Sequence, residues 1–163
     1  MSWMGRPVIK ILSGIRRCGK SSILLRCKEL LAEREGGEAA VLHINMELLA
    51  NERFRDLHLL NAEVHEAIQK HGGKVYVFLD EVQEIPHWEK LAGSLLAEGV
   101  ADLTVTGSNA HLLSGELATL LSGRYVELPI YPLSFREYCD FFALEPNREA
   151  FLKFLKSGGF PGL

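Results

Sequence analysis

Residues 14–21 read GIRRCGKS and fit the pattern G-x-x-x-x-G-K-[ST] at every fixed position. The two glycines permit backbone angles that a Cβ disfavours, so successive N–H groups can point inward and form an anion-binding nest. The lysine supplies a positive charge suited to the β- and γ-phosphates of a nucleotide, and the serine supplies a hydroxyl for Mg²⁺. The sequence thus predicts a triphosphate-binding loop. Its candidate binding residues are Gly14, Ile15, Arg16, Arg17, Cys18, Gly19, Lys20, Ser21 and Ser22.

The sequence on either side of this loop supports the prediction. Residues 7–13 (PVIKILS) are β-branched and bounded by proline and glycine, which predicts a strand. Apolar residues then recur at helical spacing over about 20–34. Strand, loop and helix in this order are the setting in which the pattern binds phosphate. An ordinary glycine-rich turn with a solvated lysine is the alternative, and solvation is equally open for Arg16 and Arg17.

The rest of the chain alternates between segments typical of strands and segments with the apolar spacing of helices. An uninterrupted apolar run, VYVFL at 75–79, predicts a central parallel strand covered on both faces. Pro129 indicates either an edge position for the last strand or the end of that strand. Such alternation is typical of an α/β fold with a mainly parallel sheet. Further strands are predicted at 39–45, 103–106 and 125–130. Helices are predicted at 61–70, 88–98, 111–121, 134–142 and 147–156, and the segment 46–57 is ambiguous. Asn61 is the expected cap of the first of these helices, and a Ser134–Glu137 capping box opens the fourth.

Composition narrows the class of protein. The 163 residues are 47% hydrophobic and 24% charged, as expected for one globular domain and not for a disordered or fibrous chain. The net charge of −3 shows no global basic excess of the kind that nucleic-acid binders carry, although the chain could still have a local basic patch.

Three cysteines without a C-x-x-C indicate neither a disulfide framework nor a zinc ribbon, and the six histidines lack zinc-ligand spacing. With no long apolar segment and no signal peptide, we expect a cytoplasmic protein and no membrane partner.

The predicted central strand ends in two acids, Asp80 and Glu81. An aspartate at a strand tip can hold Mg²⁺, and the next carboxylate is placed to polarise a water for attack on the γ-phosphate. The doublet favours ATP hydrolysis over a GTPase mechanism that uses glutamine. Two alternatives remain: a pair of solvated acids at a strand end, and Gln83 as the residue that positions the water.

Two further positions are candidates for catalysis. The fourth predicted strand ends in TGSN, where Thr106, Ser108 and Asn109 could sense the γ-phosphate, with Ser108 preferred and Asn109 second. A plain turn with an asparagine cap is the alternative. Arg124, just before the fifth strand, is a candidate finger for the nucleotide of a neighbouring subunit, or else a structural ion pair or helix cap.

Four segments together, GIRRCGKSS, VFLDEVQ, TGSN and LSGRYVELPIYPLSFREY, resemble the prokaryotic AAA-type ATPases of the P-loop superfamily, over about residues 7–161. The resemblance implies a three-layer α/β/α P-loop NTPase core with a five-stranded parallel sheet in the order 5-1-4-3-2. It makes residues 14–21 the Walker A motif, Asp80 and Glu81 the Walker B motif, 106–109 the first sensor and Arg124 the finger. Such relatives continue into a lid and a C-terminal domain. We expect residues 1–163 to form the nucleotide-binding core and to stop before any lid.

The function expected from the residues and the resemblance is Mg²⁺-dependent binding and hydrolysis of ATP to ADP, which drives or gates an attached C-terminal domain. Ser21 and Asp80 would hold the metal, and Arg124 would act within a homo-oligomer. A nucleotide-switched module that binds protein or DNA with little turnover is the main alternative. A small-molecule kinase is a weaker one, because no arginine-rich acceptor lid is evident. No N-K-x-D guanine motif occurs, which favours adenine only mildly.

Overall fold

The computed structural model describes residues 3–35, 40–108, 120–121 and 123–160. The strands are β1 (Ile9–Ser13), β2 (Val41–Asn45), β3 (Val75–Asp80), β4 (Ala101–Gly107) and β5 (Tyr125–Pro129). The helices are α1 (Lys20–Glu35), α2 (Leu57–His71), α3 (Trp88–Glu98), α4 (Phe135–Phe141) and α5 (Arg148–Ser157), with 3₁₀ helices at Leu49–Arg55 and Val82–Glu84. Over these described ranges, no helix combines the length and the apolar character that a membrane crossing requires.

The five strands form one sheet in the order β2-β3-β4-β1-β5, and all four pairings are parallel. Read from the other edge, this is 5-1-4-3-2, so the predicted α/β fold and strand order are confirmed. β5 lies at the edge and Pro129 is its last residue, so both of the positions left open for this proline are occupied; a residue without an N–H is tolerated at each. In a parallel sheet all carboxyl ends meet at one edge, and the residues after β1, β3 and β4 therefore converge.

Both faces of the sheet are covered. Val75, Val77 and Leu79 of β3 belong to a core shared with α2 and α3, whereas Phe78 packs on the other face with Leu24 and Leu31 of α1. Each such side chain stabilises the fold by about 1.5–3 kcal/mol on burial. The predicted central strand, buried on both faces, is confirmed, and this burial makes the carboxyl edge of β3 a rigid platform.

One predicted helix start is wrong. α2 begins at Leu57 and not after Asn61, because Asp56 provides the cap and its side chain accepts a hydrogen bond from the His58 N–H at 2.8 Å. The ambiguous segment before it contains the Leu49–Arg55 3₁₀ helix. The predicted capping box is confirmed: Ser134 Oγ accepts from the Glu137 N–H at 3.3 Å, and the Glu137 carboxylate accepts in return at 2.8 Å. Most of the helix predicted at 111–121 lies outside the described residues.

A buried ion pair ties the N-terminal segment to the amino edge of the sheet. Lys10 Nζ on β1 lies 2.7 Å from Asp102 Oδ1 on β4 and donates to the Arg6 carbonyl oxygen at 3.0 Å. The Gly5 N–H donates to the other carboxylate oxygen of Asp102. Burial lowers the pKa of Lys10, and its hydrogen bond to Asp102 works in the opposite direction. Every charged atom of this pair therefore has a partner.

Candidate functional site

The glycine-rich loop connects the end of β1 to the first turn of α1. Arg17 (φ 67°) and Gly19 (φ 99°) are left-handed, and such reversals turn successive N–H groups toward a common point. Gly14 is required for a different reason: a Cβ there would overlap the Ile130 carbonyl oxygen and lie 2.8 Å from Cys18 Sγ. The chain after β5 thus presses against the loop and limits this position to glycine.

The loop opens onto a cleft of about 820 Å³, a size typical of ligand pockets. Three cationic side chains and the N-terminus of α1, whose dipole favours anions, face two carboxylates across it. The lining residues are Arg16, Arg17, Gly19, Lys20, Ser21, Ser22, Glu47, Glu81 and Phe141. Of the other predicted loop residues, Gly14 and Cys18 are buried and Ile15 is exposed.

Lys20 is buried at the base of this cleft, with 4% of its side chain exposed. Its Nζ donates to the carbonyl oxygens of Gly14 and Ile15, each at 3.1 Å, and lies 3.7 Å from Glu81 Oε1. The ammonium is therefore held by two neutral carbonyls and one distant carboxylate. An entering phosphate would offer it a stronger, charge-assisted bond than any of these.

Asp80, the last residue of β3, is fully buried. Its Oδ1 accepts a hydrogen bond from Thr106 Oγ1, whereas its Oδ2 has no partner among the described residues. A buried carboxylate oxygen left unpaired is costly, and carboxylate oxygens are the ligands that Mg²⁺ prefers. The donor set around Asp80 therefore fits a hard divalent cation.

Glu81 continues from Asp80 in a left-handed conformation (φ 57°) that directs its carboxylate into the cleft. Its backbone N–H donates to Thr106 Oγ1 at 3.0 Å, and its carboxylate accepts a hydrogen bond from Gln83 Nε2. Gln83 was predicted as a rival to Glu81 for positioning water, and the structure places its amide against the Glu81 carboxylate. Glu81 lines the cleft, and Gln83 contacts it from outside the lining by donating to its carboxylate.

At the end of β4, the contact with the acidic pair is made by Thr106, which is fully buried. Ser108, the preferred sequence candidate, follows the strand and is half-buried. Asn109 lies outside the described residues. Of the two candidates within the described residues, the structure thus brings Thr106 into direct contact with Asp80 and Glu81.

Arg124 lies away from the cleft of its own chain. It precedes β5, and its carbonyl oxygen accepts from the Ile9 N–H at 3.1 Å at the start of β1. The loop begins only after the other end of that strand, roughly 13 Å further along at about 3.3 Å per residue. The exposed Arg124 therefore lies at the opposite edge of the sheet from the loop of its own chain.

Two cleft residues were not predicted. Glu47 follows β2 and forms a 3.2 Å ion pair with Arg16, while its N–H donates to Asn45 Oδ1 at 2.8 Å. Phe141 comes from α4, so a helix beyond the sheet supplies part of the wall. The Asn45 side chain ahead of an acidic residue was the available local indication for Glu47; Phe141 had none.

One more buried polar atom lies near the acidic pair. His43 Nε2 on β2 has no partner among the described residues. Burial lowers the pKa of His43, and the charge of Asp80 works in the opposite direction. Across the described residues, no group of three or more histidine, cysteine, aspartate or glutamate side chains could hold a metal ion. A cation at Asp80 would therefore need oxygen ligands of other kinds beside this carboxylate, such as a hydroxyl, phosphate or water oxygens.

Comparisons with known proteins agree with this geometry. A family model described as the AAA domain matches residues 6–139. A protein of Haemophilus influenzae, itself described as uncharacterized, is 36% identical over 95% of this chain. Two uncharacterized proteins of Methanocaldococcus jannaschii are 31% and 30% identical over 94% and 78% of it. The chain spans 40%, 35% and 27% of the lengths of these three relatives.

Two solved structures share the fold at low sequence identity. The Orc1 protein of Aeropyrum pernix, solved in complex with DNA, is 16% identical, with a TM-score of 0.56 over 83% of this chain and 42% of its own. The PCH-2 protein of Caenorhabditis elegans is 14% identical, with a TM-score of 0.59 over 94% of this chain and 42% of its own. Both likenesses concern the architecture of the sheet and its flanking helices.

Proposed function

The chain belongs to the AAA domain family and has its ATPase-like fold, and from this premise we propose that it binds ATP with Mg²⁺ and hydrolyses the γ-phosphate. One observation carries the proposal. Lys20 from the loop and Glu81 from the end of β3 approach to 3.7 Å at the base of an 820 Å³ cleft. A phosphate-binding cation and a potential base thus face the same small volume.

The loop and Lys20 would bind the triphosphate. The backbone N–H groups of the loop and of the first turn of α1 would provide neutral donors and a favourable dipole, with the Cys18 N–H giving up its 3.4 Å bond to the Ile15 carbonyl oxygen. Lys20 would exchange its carbonyl partners for β- and γ-phosphate oxygens, since its bond to a charged acceptor is the stronger one. Neutral amides and one ammonium together position the γ-phosphate toward Glu81.

Asp80 and Ser21 would hold Mg²⁺. The fit rests on the unpartnered Oδ2 of Asp80 and on the place of Ser21 at the N-terminus of α1 beside the cleft. When bound, the ion neutralises negative charge on the phosphate oxygens. Asp80 contributes a fixed carboxylate, because Thr106 already binds its other oxygen.

Glu81 would act as the general base. Its carboxylate is directed into the cleft and is held between the Lys20 ammonium and the Gln83 amide. A water bound to this carboxylate would attack the γ-phosphorus and give up a proton to Glu81, while the bond from that phosphorus to the β–γ bridging oxygen breaks and ADP leaves. Positioned general bases contribute about 10²–10⁴-fold to rate.

We further propose that Arg124 serves the cleft of a second copy, since it is exposed and lies at the opposite edge of the sheet from its own loop. The relatives are at least twice as long as this chain, and we propose that nucleotide turnover in the cytoplasm drives or gates the part of the protein that lies beyond this domain. A protein or DNA partner would act through that part.

A Glu81→Gln substitution tests the proposal, with Glu84→Gln as a matched control on the same turn. Loss of the base should lower ATP turnover by about 10²–10⁴-fold while ATP affinity is kept. Glu84 is exposed and pairs with Arg55 at 2.9 Å, so its variant should hydrolyse ATP normally. Turnover and binding are measured separately, by phosphate release and by calorimetry. Equal turnover in wild-type protein and the Glu81 variant would refute the assignment.

A nucleotide-switched binding module is a second candidate, and one observation favours it. The Glu81 carboxylate is already engaged by Lys20 and Gln83, which competes with its use as a base. In that case ATP would bind and reorder the cleft without turnover. Tight ATP binding with no phosphate release by the wild-type protein would favour the switch over the hydrolase.

A further inference from the structure

We infer that Thr106 is a positioning residue whose hydroxyl fixes both acids of the site, an inference that rests on the function proposed above. Its Oγ1 donates to Asp80 Oδ1 and accepts from the Glu81 N–H at 3.0 Å. The side chain is fully buried and does not line the cleft. Thr106 therefore acts through the acids and does not contact nucleotide.

The hydroxyl controls which oxygen of Asp80 is free. A threonine hydroxyl has one proton to donate, and here that proton goes to Oδ1. This bond orients the carboxylate and leaves Oδ2 without a partner. Without it, the carboxylate could rotate, and neither oxygen would be held in place for a cation.

The same hydroxyl supports the backbone turn at Glu81. A non-glycine residue at φ 57° is in a sparsely populated conformation that its surroundings must maintain. Two hydrogen bonds do so: the Glu81 N–H to Thr106, and the Glu84 N–H to the Glu81 carbonyl oxygen at 3.1 Å. Removing the first would free the turn that directs the Glu81 carboxylate into the cleft.

Thr104 provides an internal control. It lies two residues earlier on β4, so the pleat places it on the same face as Thr106, and it is almost equally buried at 2% exposure. Its Oγ1, however, has no partner among the described residues. The two threonines share residue type, strand and burial and differ in their hydrogen bonds. Replacing each with valine, which has the same shape without a hydroxyl, isolates the effect of those bonds.

The test compares Thr106→Val, Thr106→Ser and Thr104→Val. We expect Thr106→Val to lower kcat about 10–100-fold with KM within about threefold of wild type, the size seen when the partner of a metal-binding carboxylate is removed. Thr106→Ser, which keeps the hydroxyl, should restore most of kcat, and Thr104→Val should match wild type. In nucleotide-free protein, hydrogen exchange of the Glu81 amide should accelerate in Thr106→Val alone.

Wild-type kcat and an unchanged Glu81 exchange rate in Thr106→Val would overturn the inference, as would equal effects of the two valine variants. Thr106→Ala gives the same comparison should the valine variant not fold. If the wild-type protein binds ATP without turnover, the hydrolase proposal fails, but the exchange rate of the Glu81 amide still tests the positioning role of Thr106. The Mg²⁺ concentration needed for ATP binding tests the same role: it should rise about tenfold in Thr106→Val and stay constant in Thr104→Val.

Discussion

Two buried lysine–carboxylate pairs lie at opposite edges of the same sheet. At the amino edge, Lys10 and Asp102 lie 2.7 Å apart, and the Arg6 carbonyl oxygen and the Gly5 N–H satisfy their remaining atoms. At the carboxyl edge, Lys20 and Glu81 lie 3.7 Å apart, a neighbouring carboxylate oxygen of Asp80 has no partner, and a cleft opens beside them. We call Lys10 and Asp102, whose charged atoms all have partners, the closed pair. We call Lys20, Glu81 and Asp80, which include an unpartnered oxygen beside a cleft, the open cluster.

The difference shows that a buried charge does not by itself mark a functional site. Burying an ion pair costs a large desolvation free energy, which excellent geometry and additional hydrogen bonds can offset. The Lys10 pair has both the short distance and the additional hydrogen bonds, so its charges stabilise the fold. The Lys20 cluster retains unused bonding capacity next to a cavity, so its charges remain available for a ligand.

Substitutions that break the closed pair should have the largest effect, and they should change the free energy of unfolding without changing ATP binding. Asp102→Leu leaves Lys10 as an unpaired buried cation, which typically costs about 3–5 kcal/mol of unfolding free energy. The double variant Lys10→Met/Asp102→Leu should recover much of this loss, because two apolar side chains replace the pair. Urea unfolding measures both, with the exposed Lys70→Met as a control. An unchanged midpoint for Asp102→Leu would mean that the closed pair does not stabilise the fold.

Breaking the open cluster should give a smaller effect, and on binding alone. Lys20→Met removes a charge-assisted bond worth about 1.5–3 kcal/mol, so ATP affinity should fall by about 10–150-fold with little change in urea midpoint. Lys28→Met, on the exposed side of the same helix, should bind ATP normally. A large loss of stability in Lys20→Met would erase the contrast between the two lysines.

The sequence predicted those parts of the molecule that depend on local pattern. The loop, the acids after the central strand and the edge position of β5 each follow from a few adjacent residues. The start of α2 was wrong because Asp56 and Asn61 are both acceptable caps, and only tertiary packing selects between them. The Lys10–Asp102 pair could not be predicted for a related reason: its two residues lie on strands that are far apart in the sequence, and no local pattern links them.

The contact of Thr106 with both acids depends on strand register, which sequence does not provide. Leu79 of β3 pairs with Val105 of β4, so Thr106, the next residue of β4, lies beside Asp80 at the end of β3. The sequence favoured Ser108 because polar residues at a strand tip look alike until the register is known. Phe141 and Glu47 join the cleft from separate segments, which no local pattern indicates.

Titration calorimetry of MgATP into the wild-type protein decides whether residues 14–21 form a nucleotide-binding loop. We predict saturable binding of one nucleotide per chain through this loop, with affinity reduced in Lys20→Met and retained in Lys28→Met. Failure of both ATP and ADP to bind at saturating Mg²⁺, by protein whose cooperative unfolding shows that it is folded, would contradict it.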